Sequence, residues 1–419
     1  MRDASAPSGL RHALRALRHR DFAVFWTGAI ISNSGTWLHG VAVPFVLYEL
    51  TESAFWVGLA TFSAFIPIMV MGPIGGTLAD RVSRRRILVL GQGAAAVFAI
   101  SLWASFALGV REPAVVLGLT ALMSSAAGLT IPAWQAFVPA LVPRDDLASA
   151  ITLNSVQFNA ARAIGPAAAG IVLATLGPST AFLINGLSYV AVVGAVLAVR
   201  TVPPAQGAGE GSVAHRFREA FTYLTRRAGI WRGVVLAMTV GFLGYPIVQF
   251  TIVYAESVYG VGPRALGFLT GAIGVGAIAV APVVGGAFGD LPRARVVRVA
   301  LPVYGTAVMA FGLSTTYPAG VVAVAVAGAG FLAIVATTNT AAQAIVAEHF
   351  RGRVMAIRVM GFTASYPLGA LLQGWLADMV GPPVVVATAG AVLVAVGLWL
   401  AARPGWLAPL DDPPDAYAA

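Results

Sequence analysis

Few residues in this sequence are of types that could do chemistry, and their spacing points to binding and gating, not to making or breaking bonds. Arg162 is a lone charge within the apolar stretch NAARAIGPAAAG. Asp80 closes the apolar stretch GPIGGTLAD and is followed at once by Arg81, then by Arg84, Arg85 and Arg86. His39 alone of the five histidines lies in an apolar run; His12, His19, His215 and His349 fall near arginines. Cysteine is absent, which excludes a thiol nucleophile, a disulfide framework and a cysteine metal site. No His-x-x-x-His pair and no carboxylate pair has ligand spacing. The expectations are no catalytic residue, no metal, no cofactor and no enzymatic activity.

The elements that position these residues follow from composition. The 419 residues are 58% hydrophobic and 10% charged, whereas a soluble domain carries about 25% charged residues. So few charges cannot build a water-facing surface, and a bilayer must cover much of it. Apolar runs bounded by charge or turn clusters fall near 22–48, 54–79, 87–109, 114–141, 149–176, 180–199, 233–255, 265–288, 296–316, 319–346, 354–379 and 384–402. They are continuous and not alternating, which predicts helices and not barrel strands. Each approaches or exceeds the roughly 20 residues that a spanning helix needs. The fold class expected is an all-α membrane protein of twelve transmembrane helices.

Lysine is absent, so all 26 basic residues are arginine. With the N-terminus in the cytoplasm, nearly all of them fall on the cytoplasmic side, including Arg144, Arg200, the group from Arg216 to Arg232, Arg351, Arg353, Arg358 and Arg403. Arg111 and Arg264 fall on the other side, and Arg162 lies inside a span. The positive-inside rule then puts both termini in the cytoplasm. The net charge of +9 is dispersed in short clusters and forms no continuous patch, which argues against a nucleic-acid partner. Residues 1–20 are polar, and the first apolar run is too long for a signal peptide. LRHALRALRHR reads as a basic leader, with an amphipathic surface helix as the alternative.

The hydrophilic segment 201–231 divides the spans into two sets of six. Its first half is rich in Pro and Gly and its second half, HRFREAFTYLTRR, reads as an amphipathic surface helix. The expected organisation is a basic cytoplasmic segment (1–21), a six-helix bundle (22–200), a cytoplasmic central loop (201–231), a second six-helix bundle (232–403) and a cytoplasmic tail (404–419). The halves repeat: GGTLAD ends at Asp80 and GGAFGD at Asp290, while Gly165, Gly170 and Gly177-Pro178 match Gly369, Gly374 and Gly381-Pro382. A duplicated six-helix unit would give such matches and a pseudo-symmetric pair of bundles.

A charge near the bilayer centre costs at least a few kcal/mol and faces a cavity with a partner. Arg162 therefore reads as an anion-binding or coupling site, or as a hydrogen-bonded tie to carbonyls of neighbouring spans. No carboxylate lies midspan; Asp21, Glu49, Glu52, Glu256, Glu348 and Asp378 all fall near span ends. His39 is the titratable group left at depth and would switch near neutral pH, or it packs between helices. Asn33, Gln135, Asn159, Gln249, Asn339, Gln343 and Tyr366, with Trp37, Trp134 and Tyr245, are spread over spans in the way a mostly apolar cavity at mid-depth would need. Such a cavity suits bulky amphipathic molecules better than sugars. GVGAIA, from Gly274, has the look of a dinucleotide fingerprint but lies inside a span, so it reads as helix packing.

The loop after the second span resembles the signature of the major facilitator superfamily. Gly76, Leu78, Ala79, Asp80, Arg81, Arg84, Arg85 and Leu88 stand at the signature positions, and Ser83 replaces the more frequent Gly. The resemblance implies a gate in which Asp80 meets the positive end of a helix dipole at the start of the eleventh span, near 352–356. The arginines would fix Asp80 and bridge to other helix ends, or serve only as positive-inside anchors. In the fifth span Gly165, Pro166 and Gly170 resemble the antiporter motif of drug-exporting facilitators, with Ala161 and Ala169 in place of two glycines. RHRDFAVFWTGAIISNSGTWLHGVAVPFVLYELTES and RGRVMA (351–356) resemble the siderophore-exporter and macrolide-efflux branch. What this implies is a plasma-membrane exporter of a small amphipathic compound (drug, siderophore or secondary metabolite), working by alternating access. It would be coupled to protons and act as a monomer. An importer or facilitator of a small metabolite, such as an anion held by Arg162, and a non-transporting receptor or scaffold are the alternatives.

Overall fold

The computed structural model describes residues 14–200, 213–282 and 291–413, and among them it is helical almost throughout. Helix α1 is Arg20–Thr51, α2 Ala54–Arg81, α3 Arg84–Ala107 and α4 Pro113–Phe137. The run Leu147–Ala198 breaks at Gly177 into α5 (147–176) and α6 (178–198). Helix α7 is Val213–Arg226. Then follow α8 (Ala228–Val258), α9 (Pro263–Pro282), α10 (Arg293–Leu313), α11 (Tyr317–Ile345), α12 (Glu348–Val380) and α13 (Pro382–Ala402).

Ten helical segments among the described residues are long and apolar enough to cross a membrane. One of them contains the break at Gly177 and is two spans. α1 is not among the ten because Ser32, Asn33, Ser34, Thr36 and His39 dilute its apolar sequence, yet its 32 residues are ample for a span. The described residues thus supply the twelve spans that the apolar runs predict. Their outer faces are apolar: Leu90, Phe268, Val275 and Val322 are 72%, 69%, 66% and 64% exposed. Side chains of this kind at mid-helix need hydrocarbon around them, not water.

Contacts group the chain into two compact units. One comprises Met1–Val46 and Ile66–Gly209, the other Leu47–Phe65 and Glu210–Ala419. Each unit repeats one internal scheme. In the first, α3 packs on α4 and α6, with Ala95, Ala96 and Ala99 against Met123, Ala126 and Tyr189. In the second, α10 packs on α11 and α13. α2 crosses α4 where Gly75 meets Leu129 and Gly128 meets Ile68; α9 crosses α11 where Gly276 meets Ala325 and Gly328 meets Ile273. Small residues let the backbones approach closely at such crossings. Gly276 belongs to GVGAIA, which is helix packing as expected.

The sequence repeat also has a backbone counterpart. Gly177 and Gly381 both have positive φ (77° and 91°), and each is followed by a proline that begins the next helix. Glycine takes this conformation at little cost and proline suits a first helical turn. Gly165 of α5 packs on Trp37 of α1, and its match Gly369 of α12 packs on Phe242 of α8. GGAFGD (285–290) lies outside the described residues, as do 1–13 of the leader and 201–212 of the central loop. The rest of the leader packs on the protein: Arg15 and His19 reach Asp146 at 3.0 and 2.7 Å, and the Ala16 N–H donates to Ser149 Oγ.

Candidate functional site

In the first unit the residues at mid-depth are set by α1 and α5. Arg162 lies fifteen residues after Leu147 and fifteen before Gly177, roughly 22 Å from either end at 1.5 Å per residue. Its guanidinium lies over the indole of Trp37, with Cζ 5.8 Å from the ring centroid, a cation–π geometry. Trp37 meets the edge of Phe158 at 5.9 Å. A Cβ on Gly165 would come within 2.5 Å of the Trp37 Cβ, so this glycine sets how near the indole stands to α5. Pro166 follows it inside the helix, and Gly170 is buried. Arg162 is exposed, and among the described residues it pairs with no carboxylate and donates to no carbonyl.

Other expected residues of this unit are placed differently. Asn33 Nδ2 donates to Gln157 Oε1 at 2.9 Å, tying α1 to α5. Asn159 is exposed and donates back to the Ser155 carbonyl of its own helix at 2.8 Å. Gln135 is exposed on α4. His39 is buried beside Phe182 of α6, ring centroids 5.7 Å apart, and neither ring nitrogen has a partner among the described residues. It is not brought together with Arg162.

In the second unit the site is built on a break in α8. The helix is π-helical over Val240–Gly244 and resumes at Ile247 after Tyr245-Pro246. Pro246 has no N–H to give the Phe242 carbonyl one turn back. Gln373 of α12 supplies the donor: its Nε2 reaches Phe242 O at 2.8 Å and Leu243 O at 3.1 Å. The break presents Tyr245 to an aromatic cluster, with Phe331, Phe362 and Tyr366 at centroid distances of 4.7, 5.4 and 4.6 Å. Phe65 of α2 meets Tyr366 at 5.2 Å. Gln249 Nε2 donates to the Tyr366 hydroxyl at 2.7 Å. Sequence reading named Tyr245, Gln249 and Tyr366 separately, and the fold joins them.

At the arginine-rich end, Asp80 is exposed and forms no hydrogen bond or ion pair with another described residue. The arginines that follow do not hold it. Arg84 is buried, with Nη1 donating to the Ala136 carbonyl at 3.2 Å, and Arg85 donates to the Leu197 carbonyl. These carbonyls belong to the last turns of α4 and α6, where cations satisfy orphan acceptors and oppose the helix dipole. Arg81 is exposed at the end of α2, and Gly76 stands one turn before Asp80 with open space beside it.

Three functional-looking contacts escaped the sequence reading. Arg358, one of the arginines assigned to the cytoplasmic side, lies inside α12 and is 6% exposed. Its guanidinium donates to Asn339 Oδ1, the Val335 carbonyl and Thr338 Oγ1, each at 3.0 Å, so Asn339 serves a buried arginine of α12. Asp378, noted only as a span-end acid, accepts the N–H groups of Ala54 (2.7 Å) and Phe55 (3.2 Å) and the Ser53 hydroxyl, capping α2 from α12. Asp411 of the tail accepts the N–H groups of Arg293 and Ala294, capping α10. The partners are 19 to 325 positions apart in sequence, so no local signal reveals them.

Comparison with known proteins decides the family. The model described as "Transmembrane secretion effector" matches residues 11–404. The chain belongs to that family of the major facilitator superfamily. The enterobactin exporter EntS of Citrobacter koseri is 27% identical over 94% of both chains. The multidrug efflux pump Tap of Mycobacterium bovis is 25% identical over 92% of this chain and 94% of its own. The crystal structure of a bacterial homologue of the lysosomal transporter Spinster superposes with a TM-score of 0.71 at 15% identity, covering 96% of this chain and 98% of that one. The fold is the major facilitator fold, and the molecule is a multi-pass membrane transporter of a small-molecule substrate, not an enzyme.

Proposed function

We propose that this transmembrane secretion effector exports a small amphipathic compound with an anionic group and an aromatic or other flat apolar body. It works by alternating access and draws on the proton gradient of the plasma membrane, with both termini in the cytoplasm. The observation that carries the reading is Arg162: a cation at mid-depth, backed by an indole, with no carboxylate or carbonyl of the described residues to neutralise it. A cation so placed is tolerable only toward water or a ligand. A guanidinium stacked on an indole offers an anion its charge and a flat ligand its apolar neighbour. The exporter relatives and the Gly165-Pro166 motif support the outward direction, and the aromatic cluster around Tyr245 supports an apolar cargo.

The same arginine favours one competing reading, a facilitator that lets an anionic metabolite enter. Proteoliposomes with an imposed pH gradient separate the two. A labelled anionic aromatic probe should move against the proton flow, and collapsing the gradient should abolish its accumulation. Movement only down its own gradient, unaffected by pH, supports the facilitator. No flux of either anionic or cationic amphipaths would overturn both.

A further inference from the structure

Helix α7 sorts its residues by face. Ala220 and Leu224 are fully buried on the side packed against α8 and α12. One flank ties it to the start of α12: Glu219 accepts Arg353 Nη1 at 2.7 Å, Tyr223 stacks on Phe350 at 4.3 Å, and the Tyr223 hydroxyl accepts the Ala347 N–H at 3.0 Å. The other flank has no ion pair and no hydrogen bond to another helix among the described residues. Phe217 and Phe221, one turn apart and stacked at 6.3 Å, are 45% and 43% exposed. Next to Phe221 around the helix stands Arg218, exposed and in no ion pair among the described residues.

Position says what covers that flank. Only Arg227 separates α7 from the spanning helix α8, so the end of α7 is held at the membrane surface and its 14 residues extend about 21 Å from there. A helix with an apolar flank and a neighbouring arginine, fixed at that level, matches the boundary between headgroups and acyl chains. We propose that α7 is a lipid-binding element: Phe217 and Phe221 enter the leaflet on the arginine-rich side, and Arg218 beside them holds the phosphate of an anionic phospholipid. Because Glu219 and Tyr223 grip the start of α12, the lipid bound on one flank is linked to a spanning helix on the other.

The absence of cysteine makes the test clean, since each single-cysteine variant takes a spin label at one site. Phe217→Cys, Phe221→Cys and, on the polar face, Thr222→Cys are labelled and reconstituted in vesicles of phosphatidylcholine alone or with an equal part of phosphatidylglycerol. In the anionic vesicles the labels at 217 and 221 should be shielded from an aqueous nickel relaxant and reached by oxygen, and the label at 222 should show the reverse. An arginine near an anionic surface contributes about a fivefold preference. Arg218→Gln should therefore shift the label at 221 about fivefold toward water, as should pure phosphatidylcholine. Equal nickel access at 217, 221 and 222 in anionic vesicles overturns the proposal, and so does shielding that is the same in both lipid compositions.

Discussion

Arg162 and Arg358 show how two arginines within spans can differ. Arg162 is exposed over Trp37 and has no acceptor among the described residues, whereas Arg358 is buried with three. Arg162→Ala should weaken binding of an anionic substrate about tenfold or more, the scale of one hydrogen bond to a charged group, with little change in melting temperature. Arg162→Lys should recover only part of this, because an ammonium keeps the charge but loses the planar stacking. Equilibrium binding to purified protein checks both, and an unchanged affinity in Arg162→Ala would remove this residue from the site. Arg358 predicts the opposite pattern. Asn339→Leu leaves a buried guanidinium short of an acceptor and should destabilise by about 1–3 kcal/mol. Adding Arg358→Met removes the stranded charge and should restore much of that loss, which thermal melts in detergent will show.

At the scale of the element, α8 is the helix whose shape depends most on a neighbour. Pro246 leaves the Phe242 carbonyl without its helical donor, and Gln373 donates in its place. Gln373→Leu should cost about 1–3 kcal/mol, because the carbonyl then stays buried and unpaired. In a Pro246→Ala background, where the backbone regains an N–H, the same substitution should cost clearly less. Equal losses in the two backgrounds would show that Gln373 acts by packing alone. The site around Tyr245 should follow the break: straightening α8 with Pro246→Ala should disturb the Tyr245–Tyr366 contact, read as a change in substrate affinity.

At the scale of the whole molecule, one carboxylate reaches across 325 positions of sequence: Asp378 near the end of α12 caps the start of α2. This contact lies within the unit that joins Leu47–Phe65 to Glu210–Ala419. Losing a helix cap costs about 1 kcal/mol. Asp378→Ala should therefore raise amide exchange at residues 54–57 about fivefold, and unchanged protection would mean that the cap does not hold this end. At the opposite end of α2, Asp80→Asn should slow turnover in transport while leaving equilibrium substrate binding intact, as the gate implied by the signature requires. An unchanged turnover number would remove Asp80 from the gating cycle.

The spans are legible in the order of residues alone, because burial in lipid demands long apolar helices whatever their neighbours do. That order also determined the repeat, since Gly177 and Gly381 mark the same positive-φ turn before a proline. It singled out Arg162, a charge conspicuous in an apolar run. What packs against each span was decided only by the tertiary structure. Arg84 and Arg85 pass over the adjacent Asp80 and satisfy carbonyls at the ends of α4 and α6. Arg358, assigned to the cytoplasmic side, turns inward to Asn339 and Thr338. His39, read as a possible switch, lies against Phe182. The reason is physical: hydrophobic burial in a bilayer is a property of each segment alone, but a hydrogen bond inside it depends on which other helix presents the free group.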